Sequence, residues 1–405
     1  QSLKRWRILY QEAKATRSRA SHEIDLGTYT LNSPEYRDLK RLQDQSTRQL
    51  DLLQNRMEFG ASSPEMTEFY VFRYLASEGF LPGYNFTRLP VRVFASQGNG
   101  GEYISRPRLI ALREFGPGNI IYHSREKFSI CQIILPDIPS QIRKARVCKG
   151  SGYWLDQNEN TADTCPFTGI DLTESKNREE FVDLIPLSEC RAQPREHITC
   201  KEEERRRVGF NIETFFSVPD GDMTRVKRAR ILSGTDHLLN LAYIPAAQLI
   251  QVNKGDKSQK EEGFFLDLST GYWKPKPDPE KPSVNEVRRV QICTHTNADA
   301  LYIEPVKSLA LDASGVLSLQ YAIKRAIEQV FQIESAELGA TTMGDKSNPN
   351  IFLYEASEGS LGVLSQLATD VDAFRKVIER AIEICNFDDS AYSEKASYDD
   401  LLSYY

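Results

Sequence analysis

Long apolar runs are missing from this chain. None approaches the roughly 20 residues that a helix needs to span a bilayer, and no secretory signal peptide is present, so no membrane partner is expected. Cysteine is sparse and odd in number, seven residues scattered over 405. That argues against a secreted disulfide framework and for a reducing, cytosolic compartment. Histidine is sparser still, and His22, His123, His197, His237 and His295 form no paired metal-ligand spacing. A Gly-x-Ser-x-Gly hydrolase elbow is absent, because Glu358-Gly359-Ser360-Leu361-Gly362 lacks the first glycine. The string Gly339-Ala340-Thr341-Thr342-Met343-Gly344-Asp345-Lys346-Ser347 looks like a phosphate-cradling loop. Asp345, however, puts negative charge where phosphates would lie and displaces the lysine by one position. With no assembled nucleophile or acid–base set, this segment is not expected to be an enzyme.

What the chain does have is charge. Charged residues make up 27% and apolar ones 40%, the balance of a soluble globular protein long enough for two or three domains. The net charge of −6 conceals an asymmetry. Residues 73–149 carry twelve Lys/Arg against five Asp/Glu, a local +7, whereas residues 350–405 carry four against eleven, a local −7. Such a split points to one surface for a polyanion and another for a different partner. The chain starts at Gln1 without a methionine and stops at Tyr405 inside the apolar run Leu401-Leu402-Ser403-Tyr404-Tyr405, so it is expected to be a fragment of something longer.

Two Cys-x-x-Cys-Gly knuckles have each lost a second cysteine. They read Cys148-Lys149-Gly150-Ser151-Gly152 and Cys165-Pro166-Phe167-Thr168-Gly169. In a zinc ribbon two such turns aim four thiolates at one tetrahedral centre, and the glycine permits the turn. Here each knuckle keeps one sulfur and its glycine and offers a neutral hydroxyl, a poor zinc ligand, in place of the other thiolate. The expectation is a ribbon shape that survives without metal. The wider donor set Cys148, Cys165, Cys190, His197 and Cys200 has the ligand types for a tetrahedral ion. Its cysteine separations of 17, 25 and 10 match no common ribbon, and no metal is expected there. Cys131, Cys293 and Cys385 stand in apolar surroundings and are expected in the core.

Hydropathy patterning predicts an α+β fold. An N-terminal helical hairpin or bundle (1–80) precedes a β-rich region (81–208) with the degenerate zinc-ribbon-like insertion at about 147–170. An antiparallel β-rich region (209–303) and a C-terminal α/β part (304–405) follow. Helix starts at Ser33-Pro34-Glu35 and Ser63-Pro64-Glu65 set the first part. Strands are expected near 91–95, 120–123, 128–135, 209–218, 225–232, 242–252, 263–268 and 287–303. In the last part a helix over 315–332 and a buried strand at 351–354 lead to a helix or helix pair with the stripe Leu364, Leu367, Val371, Phe374, Ile378 and Ile382.

Cations cluster in three strings. Arg225-Val226-Lys227-Arg228-Ala229-Arg230 places four on an expected strand, three of them on one face; Arg106, Arg108 and Arg113 form the second group, and Arg143, Lys144 and Arg146, with Lys149, the third. Phosphate contacts need only clustered cations, so these are the candidate nucleic-acid-binding residues.

Several strings in order resemble a known family. They are Phe80-Leu81-Pro82-Gly83-Tyr84-Asn85-Phe86, Arg113-Glu114-Phe115-Gly116-Pro117-Gly118, residues 198–210, and Thr296-Asn297-Ala298-Asp299-Ala300-Leu301. Tyr354-Glu355 before Gly359-Ser360-Leu361-Gly362, and Ala396-Ser397-Tyr398-Asp399-Asp400-Leu401-Leu402-Ser403-Tyr404, complete the set. Together they resemble the region after the motor in bacterial superfamily 2 helicases of the mitomycin-repair (MrfA/YprA) type, with relatives in the DISARM and Druantia anti-phage systems. The resemblance implies a non-catalytic accessory segment that guides or senses DNA in defence or repair. The resemblance further implies that ATP and Mg serve a motor elsewhere on the chain or on a partner, that other defence-system subunits are among the partners, and that this segment holds no cofactor. The alternative is a structural docking module that assembles such a complex without touching DNA. The chain departs from the family at Ser151 and Thr168, at Ser397 and Asp400 where relatives carry a further cysteine pair, and at Ser360 where they carry glycine. Zinc binding is therefore not carried over.

Overall fold

The computed structural model describes residues 2–27, 33–54, 90–97, 100–124, 126–135, 137–156, 162–197, 209–277, 286–306, 309–345, 348–356, 360–388, 390–391 and 394–401. Helices α1 (Ser2–Asp25) and α2 (Pro34–Gln54) form an antiparallel hairpin, in which Gln43 donates to Ser21 and Gln54 to Tyr10. The helix expected after Ser63-Pro64-Glu65 and the strings at 80–86 and 198–208 lie outside the described residues.

Next come β1 (Val91–Gln97), β2 (Gly100–Arg106), α3 (Arg108–Glu114), β3 (Ile120–His123), β4 (Glu126–Ile133) and the single turn α4 (Ile138–Gln141). They are followed by β5 (Arg143–Cys148), β6 (Tyr153–Asp156), β7 (Arg178–Pro186) and β8 (Cys190–His197). Then run β9 (Phe210–Ser217), β10 (Lys227–Ser233), β11 (Asp236–Asp256), β12 (Phe264–Asp267), β13 (Trp273–Lys274) and β14 (Val287–Pro305). The chain continues as α5 (Ala313–Phe331), β15 (Leu338–Asp345), β16 (Asn348–Glu355), α6 (Val363–Thr369), α7 (Val371–Ile384) and α8 (Tyr398–Leu401). The expected α+β class holds, with helices towards both ends and a β-rich centre.

One sheet has the order β2-β1-β8-β4-β3 and packs its own core around Phe115, Phe128 and Ile130. The other has eleven strands and is organised by two long ones, β11 and β14, which pair antiparallel from Leu239↔Pro305 to Asn253↔Ile292. One end of this pair closes a ring, β11-β9-β6-β5-β7-β14, through the parallel contacts β6–β9 and β7–β14. All six strands send side chains into one cluster: Ala145 and Val147, Trp154, Phe181 and Leu184, Phe215, Ile250 and Val252, and Cys293. That is the interior of a small barrel. Buried Lys254 joins it, bonding Glu179 and Glu213 at 2.6 Å each and lying over the Phe181 ring. Burial alone would lower its pKa, but the two carboxylates outweigh this and raise it.

The other end of the pair belongs to a sheet of order β10-β11-β14-β16-β15. Strand alternation gives this sheet two apolar faces. Leu241, Tyr243, Leu301, Ile303, Ile351 and Leu353 face α5, α6 and α7, whereas Ala242, Ile244, Ala300, Tyr302 and Phe352 face the ribbon region. Helix α5 starts where Asp312 accepts from the Gly315 N–H at 2.7 Å and ends at left-handed Gln332. Pro245 is tolerated in mid-strand because β11 bulges between Ile244 and Ala247, and the Asp299 carboxylate takes the Ala246 N–H at 2.7 Å. The phosphate-loop lookalike at 339–347 is largely strand β15 paired to β16, not a loop. Among the described residues no helix is long and apolar enough to cross a membrane.

Candidate functional site

The two knuckles fold onto one point. Ser151 and Gly152 N–H groups donate to the Cys148 carbonyl at 3.2 and 2.8 Å, and Gly169 N–H donates to the Cys165 carbonyl at 2.7 Å. Gly152 and Gly169 both have φ of +75°, a conformation that favours glycine. The side chains then pair crosswise. Cys148 Sγ lies 3.9 Å from Thr168 Oγ1, and Ser151 Oγ lies 3.7 Å from Cys165 Sγ. Cys148, Ser151 and Cys165 are fully buried, while Thr168 is exposed. The thiols also interact with each other, which divides their acidity. The hydrogen bond from Cys148, then those from Thr168 and Ser151, lower the Cys165 pKa against the effect of burial. Contact with Cys165, followed by burial, raises that of Cys148.

Aromatic packing holds this cluster against the sheet. Phe167 stacks on Tyr153 and meets Phe216 and Tyr302 edge-on, at centroid distances of 6.1, 5.0 and 5.1 Å. Met343 and Gly344, near the end of β15, close the other side. A Cβ on Gly152 would stand 3.1 Å from Met343 Sδ, and one on Gly344 would stand 2.8 Å from the Gly150 carbonyl.

The candidate cations divide by element. Strand β10 begins at Lys227, and Arg225 sits in the preceding 3-10 turn, paired to Asp222 at 3.3 Å. Alternation then puts Arg228 and Arg230 on one face and Lys227 on the other, which corrects the expectation of three on one face. Arg228 lies over the Phe167 ring at 4.9 Å and donates to the Phe167 carbonyl at 3.0 Å, and Lys227 lies over Tyr243. Arg146 of β5 donates to the Ala162 carbonyl at 3.4 Å. The ribbon loop thus gathers Arg146 and Arg228 from two strands. Elsewhere, Arg106 pairs with Glu114 at 2.7 Å and Arg108 donates to the His295 carbonyl at 3.2 Å. Arg113, Arg143, Lys144 and Arg230 are exposed and carry no ion pair among the described residues.

The wider zinc set does not assemble. Cys190 opens β8 in the core of the five-stranded sheet, apart from Cys148 and Cys165, which share the ribbon core. His197 ends β8, and Cys200 lies outside the described residues. Among the other thiols Cys385 is buried as expected, whereas Cys131 and Cys293 are half-buried; burial pushes the Cys293 thiol up to about 12.

Sequence reasoning missed a second convergence. Asp299 and Glu355 come from separate strings, yet Ser360 Oγ lies 2.6 Å from one carboxylate and 2.9 Å from the other. Glu355 is 1% exposed and accepts from the Leu361, Gly362 and Leu364 N–H groups, while Asp299 also takes the Tyr243 hydroxyl at 2.9 Å. This network pins the turn into α6 against β11 and β14. Ser360, where the resembled family has glycine, bridges the two acids.

Residues 319–390 match the family model described as the MrfA Zn-binding domain. That segment contains Cys385 as its one cysteine and no histidine. Among the described residues no group of three or more His, Cys, Asp or Glu could hold a metal ion. The donors of the matched segment therefore do not fit zinc. No curated protein matches the chain by sequence. Among solved structures, the DUF1998 helicase MrfA bound to DNA aligns at 10% identity and a TM-score of 0.36, over 84% of this chain and 35% of that one. The same helicase bound to DNA and AMPPNP aligns at 8% identity and a TM-score of 0.28, over 81% and 30% respectively. A third MrfA structure gives 9% and 0.28 over 82% and 37%, so the chain spans about a third of the length of the helicases it resembles.

Proposed function

We propose that this chain is a non-catalytic accessory segment of a DNA helicase or translocase, working with an ATPase motor located elsewhere in the protein or on a partner. The observation that carries this reading is the match of residues 319–390 to a domain named for MrfA. Anti-phage defence or DNA repair is the expected setting, and ATP and Mg belong to the motor. Contact with DNA falls to the cationic face of β10 beside the ribbon. Arg230 is exposed there without an ion pair among the described residues, and Lys227 extends from the opposite face of the same edge strand. Arg143 and Lys144 add exposed charge at the start of β5.

Fluorescence anisotropy with labelled single- and double-stranded DNA across a salt series tests this. The double charge reversal Lys227→Glu/Arg230→Glu should weaken binding and flatten the log–log salt slope by about 2, since each phosphate contact contributes about 0.9. Arg228 is left intact because it packs on Phe167. Absence of binding by the unaltered chain at low salt, or binding that ignores salt, would remove the DNA reading.

A docking role without DNA contact is the second reading. It is favoured by the exposure of Val371 at 73%, Phe387 at 60% and Tyr398 at 79% within the acidic tail. Charge reversal that leaves DNA affinity unchanged would support it.

A further inference from the structure

We propose that the ribbon is a preformed tetrahedral metal frame now closed by two crosswise thiol–hydroxyl contacts, and that two substitutions, Ser151→Cys and Thr168→Cys, suffice to make it a zinc site. The proposal is independent of any DNA contact. It rests on the frame, the spacing and the donor chemistry.

The frame is complete. Both turns have the left-handed glycine and the N–H to cysteine-carbonyl bonds that point the first and fourth side chains of a knuckle to the same side. Phe167, packed on Tyr153, Phe216 and Tyr302, and Met343 against Gly152 fix the two knuckles relative to each other without any ion.

The crosswise spacing is that of a metal site. Zinc binds thiolate at about 2.3 Å in tetrahedral geometry, which sets neighbouring donor atoms about 3.8 Å apart. The two crosswise pairs stand at 3.9 and 3.7 Å. Cys148 and Cys165 also influence each other's acidity and share one buried cluster, so the two pairs lie side by side. Two opposite edges of the donor tetrahedron are therefore already at metal-site length.

The donors do not suit zinc as they stand. Two thiols and two neutral hydroxyls offer at most half of the anionic sulfur of a closed structural site. Ser151 Oγ is already committed, accepting the Tyr153 N–H at 3.2 Å. The hydroxyls instead satisfy the thiols across the frame. Ser151→Cys exchanges one oxygen for sulfur, and Thr168→Cys does the same while removing an exposed methyl group, so neither change alters the backbone of the turns. Thr168, at the surface, gives the ion a way in, and the Arg228 guanidinium on the Phe167 carbonyl places positive charge beside the resulting thiolates.

The test compares the unaltered chain with Ser151→Cys/Thr168→Cys, both purified with zinc present and then gel-filtered. Elemental analysis should find zinc far below one per chain in the first and one per chain in the second. Cobalt substitution of the double variant should give the intense sulfur charge-transfer and d–d bands of a tetrahedral tetrathiolate site. Chelator should lower the Tm of the variant and leave that of the parent unchanged. A full equivalent of tightly held zinc in the parent would overturn the proposal, as would a variant with native near-UV circular dichroism that binds neither metal. Should the double variant fail to fold, Thr168→Cys alone decides the matter. As a three-thiol site at an exposed position it should bind cobalt, and a folded single variant without cobalt bands overturns the proposal equally.

Discussion

Two places in this molecule lack cysteines that the resembled family carries, and they have been closed in different ways. At 148–169 two thiols remain, one per knuckle, and the frame is held mainly by aromatic packing outside it. Near residue 400 neither cysteine is present, and the Ser397–Asp400 turn is held from within. Ser397 N–H donates to the Asp400 carboxylate at 3.0 Å, Asp400 N–H donates to Ser397 Oγ at 3.3 Å, and Asn386 donates to Asp400 at 3.1 Å. The Ala396 N–H reaches the Cys385 carbonyl at 3.0 Å, and Arg325 donates to backbone carbonyls of Asp399 and Asp400. The first site holds two buried thiols, each in contact with a hydroxyl of the other knuckle. The second has become the reciprocal cap of a short helix. A turn thus depends little on its own side chains where neighbouring packing defines it, and on internal hydrogen bonds where packing does not.

The largest way to break this contrast is Phe216→Ala. Phe216 is fully buried and touches the rings of Tyr153, Phe167, Tyr302 and Phe352. Its removal should cost about 3–5 kcal/mol in denaturant unfolding. In the Ser151→Cys/Thr168→Cys background it should also weaken zinc, whereas unchanged zinc affinity would mean that the knuckles hold themselves. Next comes Glu355→Ala, which strips the buried acceptor from three N–H groups at the start of α6 and should cost about 2–3 kcal/mol. Its effect should be confined to the C-terminal layer, with α6 amides losing hydrogen-exchange protection before those of the ribbon. The smallest effect is expected from Asp400→Asn. Hydrogen bonds from the Ser397 side chain and backbone, then from Asn386, hold the Asp400 pKa below its ordinary value despite some desolvation. A depressed folded pKa means that the carboxylate stabilises the fold above the unfolded value of about 3.9 and loses that effect as pH falls through the folded one. The Tm gap between parent and variant should therefore be present at neutral pH and close in acid; a gap that persists in acid would show that charge plays no part in the cap.

Much of the secondary structure was legible because the signals were local. Val316, Ile323 and Ile327 on one stripe behind the Asp312 cap mark α5, and alternating or continuous apolar runs mark β9, β12 and β14. The knuckles were legible as well, since a Cys-x-x-x-Gly turn reads directly from five residues. The barrel was not. Its closure depends on β5, β6 and β7 joining β9, β11 and β14 through two parallel contacts between distant segments, and no periodicity encodes such pairings. The dispersal of the cations was hidden for the same reason. Arg106 and Glu114 are eight residues apart, and Arg228 and Phe167 sixty-one, so their contacts exist only once the sheets form.

By itself, the sequence determined the element types, the two glycine-gated turns and the shortage of anionic sulfur, because each follows from residue chemistry within a few positions. Only the tertiary structure decided that the four knuckle side chains pair crosswise, that Asp299 and Glu355 share Ser360, and that the C-terminal helices and the ribbon cover opposite faces of one sheet. Those outcomes depend on non-local strand register, which is chosen by the combined burial of both faces and not by any one segment.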